Sequence, residues 1–430
     1  MLKFKFYKKY SMKTYNILIL TLLSLNFVNG QIAYFKINYN NTLGFYTIPL
    51  YFGGNNESFE LQIDTTITES WIPSLKFPLD VKKYDISQSS TGEITKKSLE
   101  IEDEEGTIFG KACYDNIRIG KININHFGFG LANEVGYKFI DYPQGKLGLG
   151  YGKENQDDFN IVKKLKMEGI INKEEFMINK AFSMLFIGNI SMLFGNSRNT
   201  ECKLVETKNL KRIYRSAWSC LLTSFFFFLN GHYVNGFLTS ISYEFQVEVN
   251  FAVIFDSAFK YLTFPNNYLE VFSYYFIDGE LFSKCKQFKD LDSIYYRCYD
   301  ESLLLNAKIY FLIDNYVYEL LGGDLFVETG EGEYELLIRF HKKDENVFCF
   351  GSPFMNKFST SFDYEGKKIS FYGGPSFSYN DIMNIQKEID NRAAIAFFKF
   401  IGKALIIIVT IISILALLIW LDQKCCRFCS

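Results

Sequence analysis

Two aspartates in matching surroundings are the residues through which this chain could do chemistry. Asp64 lies in FELQIDTTITESWIPS (59–74) and Asp256 in FAVIFDSAFKYLTFPNNYLEVF (251–272). In each segment an apolar run leads into the Asp, and a small hydroxyl residue, Thr65 or Ser257, follows it. A second run then leads to an aromatic residue and a proline. Runs rich in Val, Ile and Phe read as buried strands. An ionised Asp ending such a strand is costly unless it is paired or hydrogen-bonded. Two carboxylates that meet there can share one proton, which drives their pKa values apart and leaves one as base and the other as acid. Such a pair can activate a water with neither a metal nor a covalent intermediate.

The segments around the two turns follow in a recognisable order. FYTIPLYFGGNNESFELQID (45–64) reads as a hairpin running into the first turn, and Trp71-Ile72-Pro73-Ser74 leaves it. QGKLGLGYG (144–152) is Gly-rich, FSMLF (182–186) is a short apolar strand, and CFGSPFMNKFSTSFDYEGKKISF (349–371) closes the series. In this order the chain resembles the pepsin-like aspartic proteases over most of residues 31–375. That family has two lobes, each contributing one Asp from an Asp-Thr/Ser-Gly turn. The resemblance implies an all-β, two-lobed fold with a central cleft. It assigns the catalytic pair to Asp64 and Asp256, with Thr65 and Ser257 as the hydroxyls that hold the turns together. In 144–152 it implies a segment that crosses beneath the first turn.

The departures from the family pattern fall at the chemistry. Thr66 and Ala258 stand where each turn has Gly, a residue that lets backbone and substrate come close. Thr66 is β-branched and stiff, so it is expected to obstruct the turn. Ile67 and Phe259 replace the next hydroxyl, which in the family supports the carboxylate, so support for the ionised form is expected to be lost. SLEIEDEEGTIFGKACYD (98–115) aligns on the family's flap hairpin, with Asp103 where the flap Tyr belongs and Glu104 and Glu105 beside it. An acidic tip over a carboxylate pair raises pKa values and favours basic partners. Family enzymes carry a Lys-bearing propeptide that plugs the site, and the stretch from Gly30 to the strand at Tyr46 is too short for one.

With 430 residues, 48% of them hydrophobic, and 45 Phe and 29 Tyr, the chain can fill two lobes. A net charge of −2 without a basic stripe gives no nucleic-acid footprint. Lysines in 1–13, the apolar run 17–25 and Val28-Asn29-Gly30 read as a signal peptide cleaved after Gly30. Residues 404–421 are uninterrupted by charge and reach roughly 27 Å as a helix, enough for a bilayer core. The expected organisation is a leader (1–30), an N-terminal lobe (31–200), a C-terminal lobe (201–375), a helical stalk (376–403), a transmembrane helix (404–421) and a cytoplasmic tail (422–430). That organisation implies a single-pass type I protein of the secretory pathway or cell surface.

Cysteines divide by compartment. Cys113, Cys202, Cys220, Cys285, Cys298 and Cys349 face the oxidising side. Six cysteines allow fifteen pairings, with Cys285–Cys298 and Cys202–Cys220 the short-range candidates and Cys113 and Cys349 placed on core strands. Cys425, Cys426 and Cys429 follow the span and are candidates for lipidation. Asn40, Asn56 and Asn189 begin glycosylation sequons. His126, His232 and His341, the three histidines, lie in no metal-ligand spacing, and there is no nucleophile elbow or Cys-x-x-Cys. No cofactor is implied. Two functions remain open: a membrane-anchored aspartic endopeptidase acting through Asp64 and Asp256, or a catalytically inactive relative that binds peptide or protein, basic for preference, in the same cleft.

Overall fold

The computed structural model describes residues 32–378, apart from 54–56, 104–105, 137–143, 152–156, 191–198, 204–215, 228–232, 235–236, 239–244, 274–284, 291–292, 300, 302–303, 305–306, 315, 342–346 and 373–376. Residues 1–376 form one compact unit and 377–430 a second, of which only Phe377 and Ser378 are described. The expected leader, the membrane span and Cys425, Cys426 and Cys429 lie outside the described residues. Among the described residues no helix is long and apolar enough to cross a membrane.

The first unit is mostly β and is consistent with the two-lobed pepsin-like fold. An eight-stranded sheet holds the strands from Asn38 to Gly148, and a second, larger sheet holds most of those from Ser219 to Phe350. A six-stranded sheet takes strands from both halves of the chain: Ile32–Lys36, Met184–Gly188, Glu175–Asn179, Ser359–Asp363, Lys368–Tyr372 and Asn199–Lys203. Alternation sets these strands. Phe45–Phe52 buries every second side chain, among them Tyr46, Ile48, Leu50 and Phe52, as a strand with one face on the core must.

Aromatic residues fill the interior. In the first half Phe52, Phe59, Tyr84 and Phe129 pack ring to ring, and in the second half Phe255, Phe350, Phe354, Phe371 and Tyr318 do the same. The halves are joined by Trp218, whose indole N–H donates to the Leu149 carbonyl at 2.8 Å; the Tyr364 hydroxyl donates to the same oxygen at 2.8 Å.

The two halves repeat one topology around the aspartates. Ser58–Asp64 lies parallel to Lys146–Gly148, which is antiparallel to Trp71–Pro73, itself parallel to Ile122–Val135. Phe245–Phe255 likewise lies parallel to Phe348–Phe350, which is antiparallel to Leu262–Pro265, itself parallel to Ile338–His341. Gly148 and Gly351 occupy equivalent places where the chain passes under each turn. A Cβ on Gly148 would meet backbone of Thr68 and Glu69 at 2.7–2.8 Å, and one on Gly351 would meet the Phe259 carbonyl at 2.3 Å. Only glycine admits so close a crossing.

Both expected disulfides are present, Cys202–Cys220 and Cys285–Cys298, the second across a hairpin in which the two cysteines are register partners. Cys113 and Cys349 are free, buried thiols.

Candidate active site

Asp64 is the last residue of its strand, where the chain turns away and the carboxylate is left among backbone donors. Its Oδ1 accepts the Thr66 N–H at 2.8 Å, the Thr66 hydroxyl at 2.7 Å and the Ile67 N–H at 3.3 Å. In the second turn the Asp256 Oδ1 accepts the Ala258 N–H at 2.8 Å. These contacts correct the expectation for Thr66. Its side chain folds back on the carboxylate two residues earlier, as in turns where an Asp caps the following backbone, and its hydroxyl supplies the support that Ile67 cannot. Ile67 belongs to an apolar cluster with Trp71, Phe77, Leu99, Ile101 and Ile108, an environment in which a lone hydroxyl would be costly.

The two turns are tied across the halves by the expected hydroxyls. Thr65 Oγ1 donates to the Phe255 carbonyl at 2.7 Å and accepts the Ser257 N–H at 3.0 Å, while Ser257 Oγ donates to the Ile63 carbonyl at 2.7 Å. The Gln62 side-chain amide adds a bond to the Ala258 carbonyl at 3.0 Å. All six residues in these contacts are buried, with Thr65 and Ser257 fully so. Segments far apart in sequence are thus brought to one site by hydrogen bonds between buried groups.

The residue that sequence reasoning missed is Lys146. It opens the strand Lys146–Gly148 directly opposite Gln62 in a parallel register that also pairs Asp64 with Gly148. Gln62 and Asp64 are two apart on a strand and so share a face. Lys146 lies beside that face, and its Nζ reaches Asp64 Oδ2 at 2.9 Å. The strand is held on both sides: the Gln62 N–H donates to the Gly145 carbonyl at 3.0 Å, the Gly148 N–H to Ser70 Oγ at 3.1 Å and the Leu149 N–H to the Asp64 carbonyl at 2.7 Å. Lys146 is 2% exposed and Asp64 1%. The signal that could have found it is a charge in the middle of an otherwise apolar, Gly-rich run. Its counterpart by register in the second half, opposite Ile254, is the uncharged Cys349.

Electrostatics follow from these contacts. Burial pushes the Asp64 carboxyl upward, but the Lys146 ammonium and the Thr66 hydroxyl and N–H outweigh it, so the pKa lies below the usual carboxylate value. With one oxygen taken by Thr66 and Ile67 and the other by an ammonium, Asp64 is a fixed anion. A general base must instead be free to accept a proton from a positioned water.

The segment aligned on the flap forms a hairpin of Glu93–Asp103 and Gly106–Ile119, with Asp103 opposite Gly106 at its end. Glu104, Glu105 and Asn56 lie outside the described residues. Asn40 is exposed beside a turn whose Thr42 and Leu43 N–H groups it accepts, and Asn189 is half-buried.

A family model described as "Eukaryotic aspartyl protease" matches residues 45–372. Rabbit (Oryctolagus cuniculus) Pepsin-3 is 27% identical over 148 residues, 33% of this chain and 38% of that protein. Rabbit Pepsin II-1 is 27% identical over 165 residues, 36% of this chain and 42% of its own length. Mouse (Mus musculus) Pepsin A-5 is 25% identical over 146 residues, 31% of this chain and 38% of its own. The chain thus spans about two-fifths of the length of the curated relatives it matches.

Proposed function

As the chain belongs to the eukaryotic aspartyl protease family, we propose that it uses the inherited cleft to hold a peptide or protein segment without hydrolysing it. The observation that supports this reading is the Lys146–Asp64 ion pair. Hydrolysis by a carboxylate pair needs one proton shared between the two groups and a water between them. An ammonium at 2.9 Å from one carboxylate supplies the counter-charge that a shared proton would supply, and it lowers the basicity of the group that should deprotonate water. Both aspartates are also almost sealed from solvent, Asp64 at 1% and Asp256 at 5% exposed.

The acidic run Glu102 to Glu105 at the flap tip favours a basic segment as ligand. A signal peptide, a span at 404–421 and sequons at Asn40, Asn56 and Asn189 place this cleft, in our reading, on the lumenal or outer side of a membrane. Cys425, Cys426 and Cys429 are then available for lipidation at the opposite face.

The second reading, an active endopeptidase, has the intact Thr65–Ser257 tie and the donors around both carboxylates in its favour. Incubating the full-length protein in detergent with a denatured protein substrate, across acidic to neutral pH, separates the two. The binder reading expects no pepstatin-sensitive cleavage. Cleavage that Asp64→Asn abolishes would overturn it.

A further inference from the structure

Resting on the reading above, we infer that Lys146 is a tethered occupant of the aspartate pair, and that the pair beneath it is a competent hydrolytic site that accepts a free primary alkylamine in its place. Three observations carry this. First, the ammonium is set by strand register and not by a flexible surface chain: Lys146 pairs with Gln62, and the residues on either side are hydrogen-bonded to both neighbouring segments. Second, the equivalent register position in the second half holds Cys349, so this crossing tolerates an uncharged side chain without altering the topology. Third, the remaining parts of the pair are assembled. The turns are tied through Thr65 and Ser257, Asp256 is oriented by the Ala258 N–H, and Thr66 replaces the hydroxyl missing at position 67. Within the two aspartate turns, the side chain that stands against hydrolysis is therefore Lys146.

With the ammonium gone, the chemistry balances without any further reagent. One carboxylate takes a proton from water as the water oxygen bonds to the peptide carbonyl carbon. The carbon–nitrogen bond then breaks as the amide nitrogen takes a proton from the other carboxyl group, and one water has been added across the peptide bond. Lys146→Ala removes three carbons and an ammonium from beside a buried carboxylate, which then lacks that counter-ion. n-Propylamine reproduces the atoms removed.

The test uses full-length Lys146→Ala and Lys146→Met, the second keeping the length of the lysine stem, so that one folded variant is available should the other misfold. Folding is checked by circular dichroism and by retention of both disulfides. Pepstatin-sensitive cleavage of a denatured substrate is expected to rise at least about tenfold over wild type in the variants, a change of roughly 1.4 kcal/mol in barrier, and to vanish when Asp64→Asn is added. Propylamine is expected to suppress cleavage by the Ala variant and to leave the Met variant, whose side chain takes the place of the stem, unaffected. Folded variants as inert as wild type would overturn the inference while leaving the binder reading intact, and cleavage by wild type would overturn the reading itself. Equal suppression of both variants by propylamine would overturn the proposed amine site.

Discussion

Removing the ammonium should destabilise the protein in a way that depends on pH, and the sign follows from the site. Lys146→Met leaves the stem but takes the charge from a pair separated by 2.9 Å, with its members 2% and 1% exposed. Coulomb attraction at this distance is about 6 kcal/mol with an effective dielectric constant near 20. Removing one partner of a buried pair typically costs about 3–5 kcal/mol, because the other charge is stranded. In wild type the Asp64 pKa is depressed, since the Lys146 and Thr66 contacts outweigh the upward push of burial. A depressed carboxylate contributes stability that is fully present above the unfolded value near about 3.9 and is lost as pH falls through the folded value. In the variant burial acts without the ammonium, so Asp64 takes up a proton more readily and the penalty of an unpaired charge disappears in acid. The difference between wild type and variant is therefore expected to be largest at neutral pH and to shrink as pH falls below the unfolded carboxylate value and through the depressed folded value of Asp64. Urea unfolding followed by tryptophan fluorescence reads it, since Trp71 and Trp218 are both fully buried near the site or the joining sheet. An equal loss at neutral and acidic pH would refute the reasoning, because simple cavity or packing damage carries no such dependence.

Thr65→Val removes a hydroxyl that serves the Phe255 carbonyl and the Ser257 N–H. Each stranded buried group costs about 1–3 kcal/mol, so a loss of about 2–6 kcal/mol is expected in the same urea assay. Under non-reducing conditions, peptide mapping should recover Cys202–Cys220 and Cys285–Cys298 as linked pairs, with Cys113 and Cys349 alkylated only after unfolding because both are buried. In cells, glycosidase treatment should shift the mass of the protein through Asn40, Asn56 or Asn189. Deleting 404–430 should release the remainder into the medium; retention on membranes would place the anchor elsewhere.

The aspartate turns were legible because their information is local. Apolar runs such as FAVIF and FELQI name the strands, and an Asp-hydroxyl pair at the end of each names the turn. The short disulfides were legible for a similar reason, since a hairpin brings Cys285 and Cys298 together whatever the rest of the chain does. Thr66 was misread because the sequence displays its bulk, whereas its role depends on a turn geometry that returns the hydroxyl to Asp64. Lys146 was missed because its meaning is non-local. Only the parallel pairing of Gln62 with Lys146 converts a charge in a Gly-rich run into the counter-ion of a residue far from it in the chain. A comparison of the two halves, Lys146 against Cys349, becomes available once that register is known.

If Asp64 is held as an ion by Lys146, the ionisation of that one carboxyl must show it. With carbon-13 in the aspartate carboxyl groups and Asp64→Asn to assign the resonance, an NMR titration of the folded protein should place Asp64 below the usual carboxylate value, and Lys146→Met should move it upward. An Asp64 that titrates at or above the ordinary range in wild type, or that is unmoved by loss of the ammonium, would contradict the account.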